Sequence, residues 1–198
     1  MHFSKDILTG SSGQSGAAGF YDYQIEQSAR FDSGGGGTNT STRLYRTFGT
    51  VSSATTFTFS VWVKRSLTYA DGGNTTWQQI IARQGGVAVG NGAAFGFESG
   101  GGTSGSLNNR DRIKWYGMKG TSGGTSGGDD RIANYYRDTT GWYHIVMRHD
   151  TSQSSGNKIK YYVNGDGPKT RTTTNEPSGN FDNFHVATSV HNIGSNSD

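Results

Sequence analysis

Residues 56–65, TFTFSVWVKR, alternate more strictly than any other stretch of this chain. Phe57, Phe59, Val61 and Val63 fall on one side, and Thr58, Ser60, Trp62 and Lys64 on the other. A period of two sends successive side chains to opposite faces of an extended backbone, so the stretch specifies a strand with one face in a core. The signature returns at residues 158–163, where Ile159, Tyr161 and Val163 oppose Lys158, Lys160 and Tyr162. Residues 142–149, rich in aromatic and β-branched types, precede it across a polar linker at 151–157. Asn164-Gly165 follows, two residues that accept positive φ and allow a sharp reversal. Residues 141–167 therefore read as an antiparallel meander.

Further strands are predicted at residues 24–33, 44–48, 77–83, 92–98, 112–118 and within 181–193, with Gly-rich turns between them. Helix is disfavoured: the chain holds only four Leu but 32 Gly, and each Gly costs about 1 kcal/mol relative to Ala inside a helix. Roughly ten short strands at regular spacing predict an all-β fold, an antiparallel two-sheet sandwich or jelly roll. Residues 1–22 are predicted to form an arm and linker, and 23–198 the sandwich. The GTSG duplication within residues 120–128 is too short for a repeat architecture.

Composition narrows the function classes. Ile, Leu, Val and Phe make up about 16% of the chain, which alone would hint at disorder. A net charge of only +3 and 12% aromatic residues argue for an ordered, aromatic core instead. Lys and Arg are scattered without a basic stripe, so no nucleic-acid partner is expected. There is no Cys, which excludes disulfides, Cys-ligated zinc and thiol catalysis. No apolar run reaches the roughly 20 residues that span a bilayer, so no membrane partner is expected. Residues 1–10 lack the apolar core of a secretory signal.

Three segments in order, SARFDS, TFTFSVWVKRS and GWYHIVMRHDTS…NKIKYYVNG, resemble the laminin G-like, concanavalin A-like jelly roll. The matching residues are Phe31, Phe57, Ser60, Trp62, Val63, Lys64, Trp142, His144, Ile145, Tyr162, Val163, Asn164 and Gly165. The form found in structural proteins of tailed phages, marine and cyanobacterial ones above all, is the more similar. It shares the run from Tyr23 to Phe31, the WYHIV of 142–146 and the DTSQ of 150–153. The resemblance implies a virion protein, a tail fibre or head-surface decoration, with other virion proteins as partners and a homo-oligomeric state. A particle released by cell lysis needs no secretory signal. The family continues past its N-I-G, here residues 192–194, into a last strand beside the first. This sequence stops at Asp198, and more chain or a partner is expected to fill that slot.

Candidate sites follow. The apolar residues Phe3, Ile7, Leu8, Phe20 and Tyr21 suit an assembly anchor, the alternative being a solvated terminus. Trp77, Trp115 and Tyr116, with Trp62, could form an aromatic platform for a host-surface glycan; the alternative is sandwich core. Trp77 is the best surface candidate of these. Asp129 and Asp130, beside a Gly-rich loop, are candidates for a Ca²⁺ site against a plain solvated loop pair, and no other cofactor is expected. His144 reads as a sheet or core histidine, and His149, His185 and His191 lack metal-ligand spacing. Glycosidases of the resembled fold alternate acids along one strand; here Glu26, Glu98 and Glu176 are dispersed, and no enzyme activity is expected.

Overall fold

The alternation at residues 56–63 is realised as a strand whose apolar side turns inward and whose polar side is exposed. The computed structural model describes residues 28–31, 43–49, 53, 55–66, 68, 78–83, 93–98, 110–117, 128–176 and 190–194. Among them are ten strands and no helix. They are β1 (Leu44–Thr47), β2 (Thr56–Val63), β3 (Gln78–Arg83), β4 (Ala93–Phe97), β5 (Ile113–Gly117), β6 (Gly128–Ile132), β7 (Tyr143–Asp150), β8 (Ile159–Val163), β9 (Arg171–Asn175) and β10 (Val190–Ile193). Every pairing is antiparallel. One sheet has seven strands in the order β1-β10-β3-β4-β5-β6-β9, and the other has three in the order β2-β7-β8. The chain is an all-β, two-sheet antiparallel sandwich.

The core forms where the inward rows of the two sheets meet. Phe59 of β2 meets Phe95 of β4 edge-on with ring centroids 5.4 Å apart. His149 of β7 lies 5.6 Å from Trp115 of β5, and Tyr161 of β8 lies parallel to Phe95 at 6.3 Å. Ile113, Ile132, Ile145, Met147 and Ile159 fill the space between, all fully buried. Burial of such side chains stabilises by about 1.5–3 kcal/mol each.

The small sheet covers only part of the large one. A cross-strand row on the core side runs Trp115, Phe95, Ile81, Ile193, Leu44, from β5 to β1. Exposure along it is 1%, 0%, 7%, 40% and 56%. The apolar surface of the large sheet thus overhangs the small sheet and emerges into solvent at β10 and β1.

Turn chemistry at the meander follows the sequence. Asn164 and Gly165 take φ of 54° and 78°, and Val163 and Asp166 exchange two backbone hydrogen bonds across them, at 2.9 and 3.1 Å. Two adjacent positive φ angles give the reversal whose twist suits strands. The chain then crosses from the small sheet to β9 at the edge of the large one.

Two expectations need correction. Within the strand predicted at residues 24–33, residues 28–31 have no regular structure. The ring of Phe31 occupies the space where a side chain at Gly194 would sit, so it packs on the end of β10. The polar segment Arg171–Asn175, not read as a strand, is β9. The arm (residues 1–22) and the residues after Gly194 lie outside the described residues.

Candidate functional site

The outward face of the small sheet gathers the most chemistry. Ile145, Met147 and His149 point inward and are buried, so His144, Val146 and Arg148 point out. Strand pairing sets three rows there: Trp62 with His144; Ser60, Val146 and Tyr162; Thr58, Arg148 and Lys160. Trp62 and His144 stack with centroids 4.9 Å apart and planes 22° from parallel. Ser60 Oγ and His144 Nε2 are 2.9 Å apart. The His144 backbone is fixed from the turn: its N–H donates to Asn164 Oδ1 and its carbonyl accepts from the Asn164 N–H, both at 2.8 Å. Partial burial pushes the His144 imidazole below its ordinary value, which favours the neutral ring, and Nε2 of that ring accepts or donates according to tautomer.

This face combines an exposed indole (37% accessible), a phenol and two cations. Arg148 also donates to the Asn157 carbonyl at 2.8 Å, which holds its guanidinium over the sheet. A Ser–His contact is one element of nucleophilic catalysis. None of the three rows carries a carboxylate to orient the imidazole. What the face offers is stacking and cationic hydrogen-bond donors.

The buried acids lie elsewhere, tied to cations. Arg65, 4% accessible, donates to Asp111 at 2.7 Å, to Gln78 Oε1 at 2.9 Å and to the Tyr136 carbonyl, with its guanidinium 4.3 Å from the Phe97 ring centre. The more exposed Arg137 reaches the second Asp111 oxygen at 3.1 Å. On the outward face of the large sheet, Glu98 contacts Lys114 at 3.3 Å and Arg131 at 3.1 Å, and both cations contact Asp129. At the β6–β9 end, Arg171 binds Asp130 at 2.7 Å and Glu176 at 2.5 Å.

That last cluster splits its two acids electrostatically. Burial pushes the Asp130 carboxyl up to about 7, against the pull of Arg171 and the Tyr161 hydroxyl. Burial also acts to raise Glu176, but hydrogen bonds from Arg171 and the N–H groups of Gly156 and Ile159 outweigh it and leave its carboxyl lowered. One guanidinium between two carboxylates leaves the more buried one holding a proton.

The sequence candidates fare unequally. Asp129 and Asp130 lie in β6 and not in a loop. Their side chains alternate, Asp129 toward Lys114 and Asp130 toward Arg171, so the two do not fit a shared Ca²⁺ ion. Among the described residues no cluster of three His, Asp or Glu suits a metal. Trp115, offered for a surface platform, is core, 1% accessible. Tyr116 lies on the opposite face, half-buried beside Lys114, so the pair cannot form one platform. Trp77 and the anchor residues Phe3, Ile7, Leu8, Phe20 and Tyr21 lie outside the described residues. Arg65 and Asp111 were missed; their contact spans 46 positions and no local pattern signals it. No family model, curated protein or solved structure matches the chain.

Proposed function

We propose that this chain is a structural protein of a tailed-phage particle, a tail fibre or head-surface decoration, attached through residues 1–22 and displaying its sandwich outward. The observation that carries this reading is the use of the interior acids as framework. Asp111, Glu98 and Asp130 are each buried and each bonded to Arg or Lys, which holds strands and loops in register. An acid catalyst needs a carboxyl open to substrate, and these are buried against Arg or Lys side chains. The lectin-like jelly-roll topology and virion location come from the sequence resemblance, as do the virion and self partners. No cofactor or catalytic residue is assigned. The test is deletion of residues 1–22: the remaining domain is expected to fold and to be missing from purified particles. Normal incorporation would refute the attachment role.

A second reading, recognition of a host-surface polysaccharide, is favoured by one observation. Trp62, Tyr162, Arg148 and Lys160 share one face of the small sheet, and aromatic faces with nearby cations suit acidic sugars. Screening the protein and a Trp62→Ala variant on a glycan array tests it. Binding lost in the variant supports it; a blank array from folded wild-type protein rejects it.

A further inference from the structure

Arg112 and Arg137 set their guanidinium groups against one exposed ring. Arg112 immediately precedes β5, and Tyr135 and Arg137 lie in the segment between β6 and β7. The Tyr135 ring centre is 4.6 Å from the Arg112 guanidinium carbon and 4.7 Å from that of Arg137. Tyr135 is 44% accessible and the Arg137 side chain 58%. Hydrogen bonds fix each cation further. Arg112 donates to the Tyr135 hydroxyl at 2.6 Å and to Thr172 Oγ1 at 3.1 Å. Arg137 donates through Nε to Asp111 at 3.1 Å, which leaves its two terminal nitrogens without a partner among the described residues.

Carboxylates do not balance this pair. Glu98, cross-strand from Arg112, is taken by Lys114 and Arg131. Asp111 is buried, and its other oxygen is held by Arg65 at 2.7 Å. Asp138 follows Arg137 in the chain, but its carboxylate accepts from Thr140 at 2.6 and 2.7 Å. Two like charges on one ring repel, and exposed cation–π contacts offset only part of that. An arginine on an ordinary solvated surface keeps many rotamers open. Here both side chains are already held, so binding costs them little further entropy.

We propose that Arg112 and Arg137 form a binding site for a phosphate or sulfate group. A guanidinium presents N–H donors in a planar fork that matches the oxygens of such a group, and charge-assisted bonds of this kind are about twice as strong as neutral ones. A doubly charged tetrahedral oxyanion neutralises both cations, whereas a carboxylate neutralises one. The terminal nitrogens of Arg137 supply the exposed donors, Arg112 supplies the second charge, and Tyr135 is the spacer that holds the two together. The site is separate from the Trp62 face of the small sheet and stands whether or not the domain belongs to a particle.

The test is NMR titration of the full-length protein with sodium phosphate and with sodium sulfate, at an ionic strength held constant with sodium chloride. Saturable shifts centred on residues 112, 135 and 137 are expected, from backbone and arginine Nε–H signals. Arg112→Gln and Arg137→Gln should each weaken binding about tenfold. Lys160→Gln removes the same charge from the small sheet and should change affinity by less than about twofold. Circular dichroism checks the fold of each variant, and the wild-type shift map decides the matter if a variant does not fold. Glucose 6-phosphate distinguishes the source of the anion. Tighter binding than inorganic phosphate supports an ester carried on a larger molecule; equal or weaker binding supports a free ion at the same site. No saturable shift, shifts centred away from these residues, unchanged affinity in both arginine variants, or an equal loss in Lys160→Gln overturns the proposal.

Discussion

Replacing Asp130 with Asn reads the interior charge cluster through pH. The residue is wholly inaccessible, and burial holds its carboxyl near 7 when folded, against an ordinary value of 3.8. Below pH 4 both folded and unfolded chains hold the proton; between about 4 and 7 only the folded chain does. This group's contribution to stability is therefore complete below the unfolded value and declines as pH rises through about 7. A separation of about three pH units corresponds to about 4 kcal/mol between the two limits. Asn keeps the shape of the neutral acid and has no such proton to lose. The stability of wild type minus that of Asp130→Asn should fall by about 4 kcal/mol from pH 4 to pH 8. Glu176 acts oppositely: its lowered carboxyl contributes above its unfolded value and loses that contribution as pH falls. It is present in both proteins, so the difference largely removes it. The assay is urea unfolding by far-ultraviolet circular dichroism at half-unit pH steps. A difference that stays level or widens with pH would refute the reasoning, because Asp130 would then be ionised and its bond to Arg171 would outweigh its burial.

Three further outcomes are expected. Arg65→Met should cost about 3–5 kcal/mol in urea unfolding, because it takes the buried guanidinium away from the buried Asp111 carboxylate. Adding Asp111→Asn should recover part of that loss, and strict additivity would show the two do not act as a pair. Gly96→Ala should destabilise by about 3 kcal/mol, since its methyl would collide with the Gln78 carbonyl oxygen at the β3 bulge; an unfolding midpoint equal to wild type would contradict the register. By NMR titration, His144 should show a midpoint below 6.5 that moves back toward it in Trp62→Ala. An unmoved midpoint would mean that Trp62 is not what desolvates the ring.

Sequence legibility depended on how each strand is buried. β2 and β8 announced themselves because one face is apolar and the other polar. β4, AAFGF, is buried on both faces, and its Phe95 and Phe97 still marked its inward side. β6 and β9 were harder. GDDRI puts an acid in the core where an apolar residue is the rule, and its partner cation Arg171 lies 41 positions away. The β-branched run Thr172 to Thr174 carries strand propensity, a usable signal that its polarity masked. For Trp115 and Tyr116 the sequence already held the answer: neighbours on a strand face opposite ways, so one platform was impossible. The Ser60–His144 contact joins residues 84 positions apart. Ser60 was legible as an outward member of its strand, whereas His144 read only as a sheet or core histidine, and their contact depends on the β2–β7 register.

β10 sits between β1 and β3, so Leu44 finds its partner Ile193 about 150 positions later in the chain. On the ribosome, β1 emerges early, yet β10, its partner among the described residues, follows much later. That margin of the large sheet must therefore close after most of the chain has been made, a slow step governed by the late segment. Losing residues 190–193 would remove an inner strand and leave β1 stranded, so damage at one end of the sequence is felt at the other.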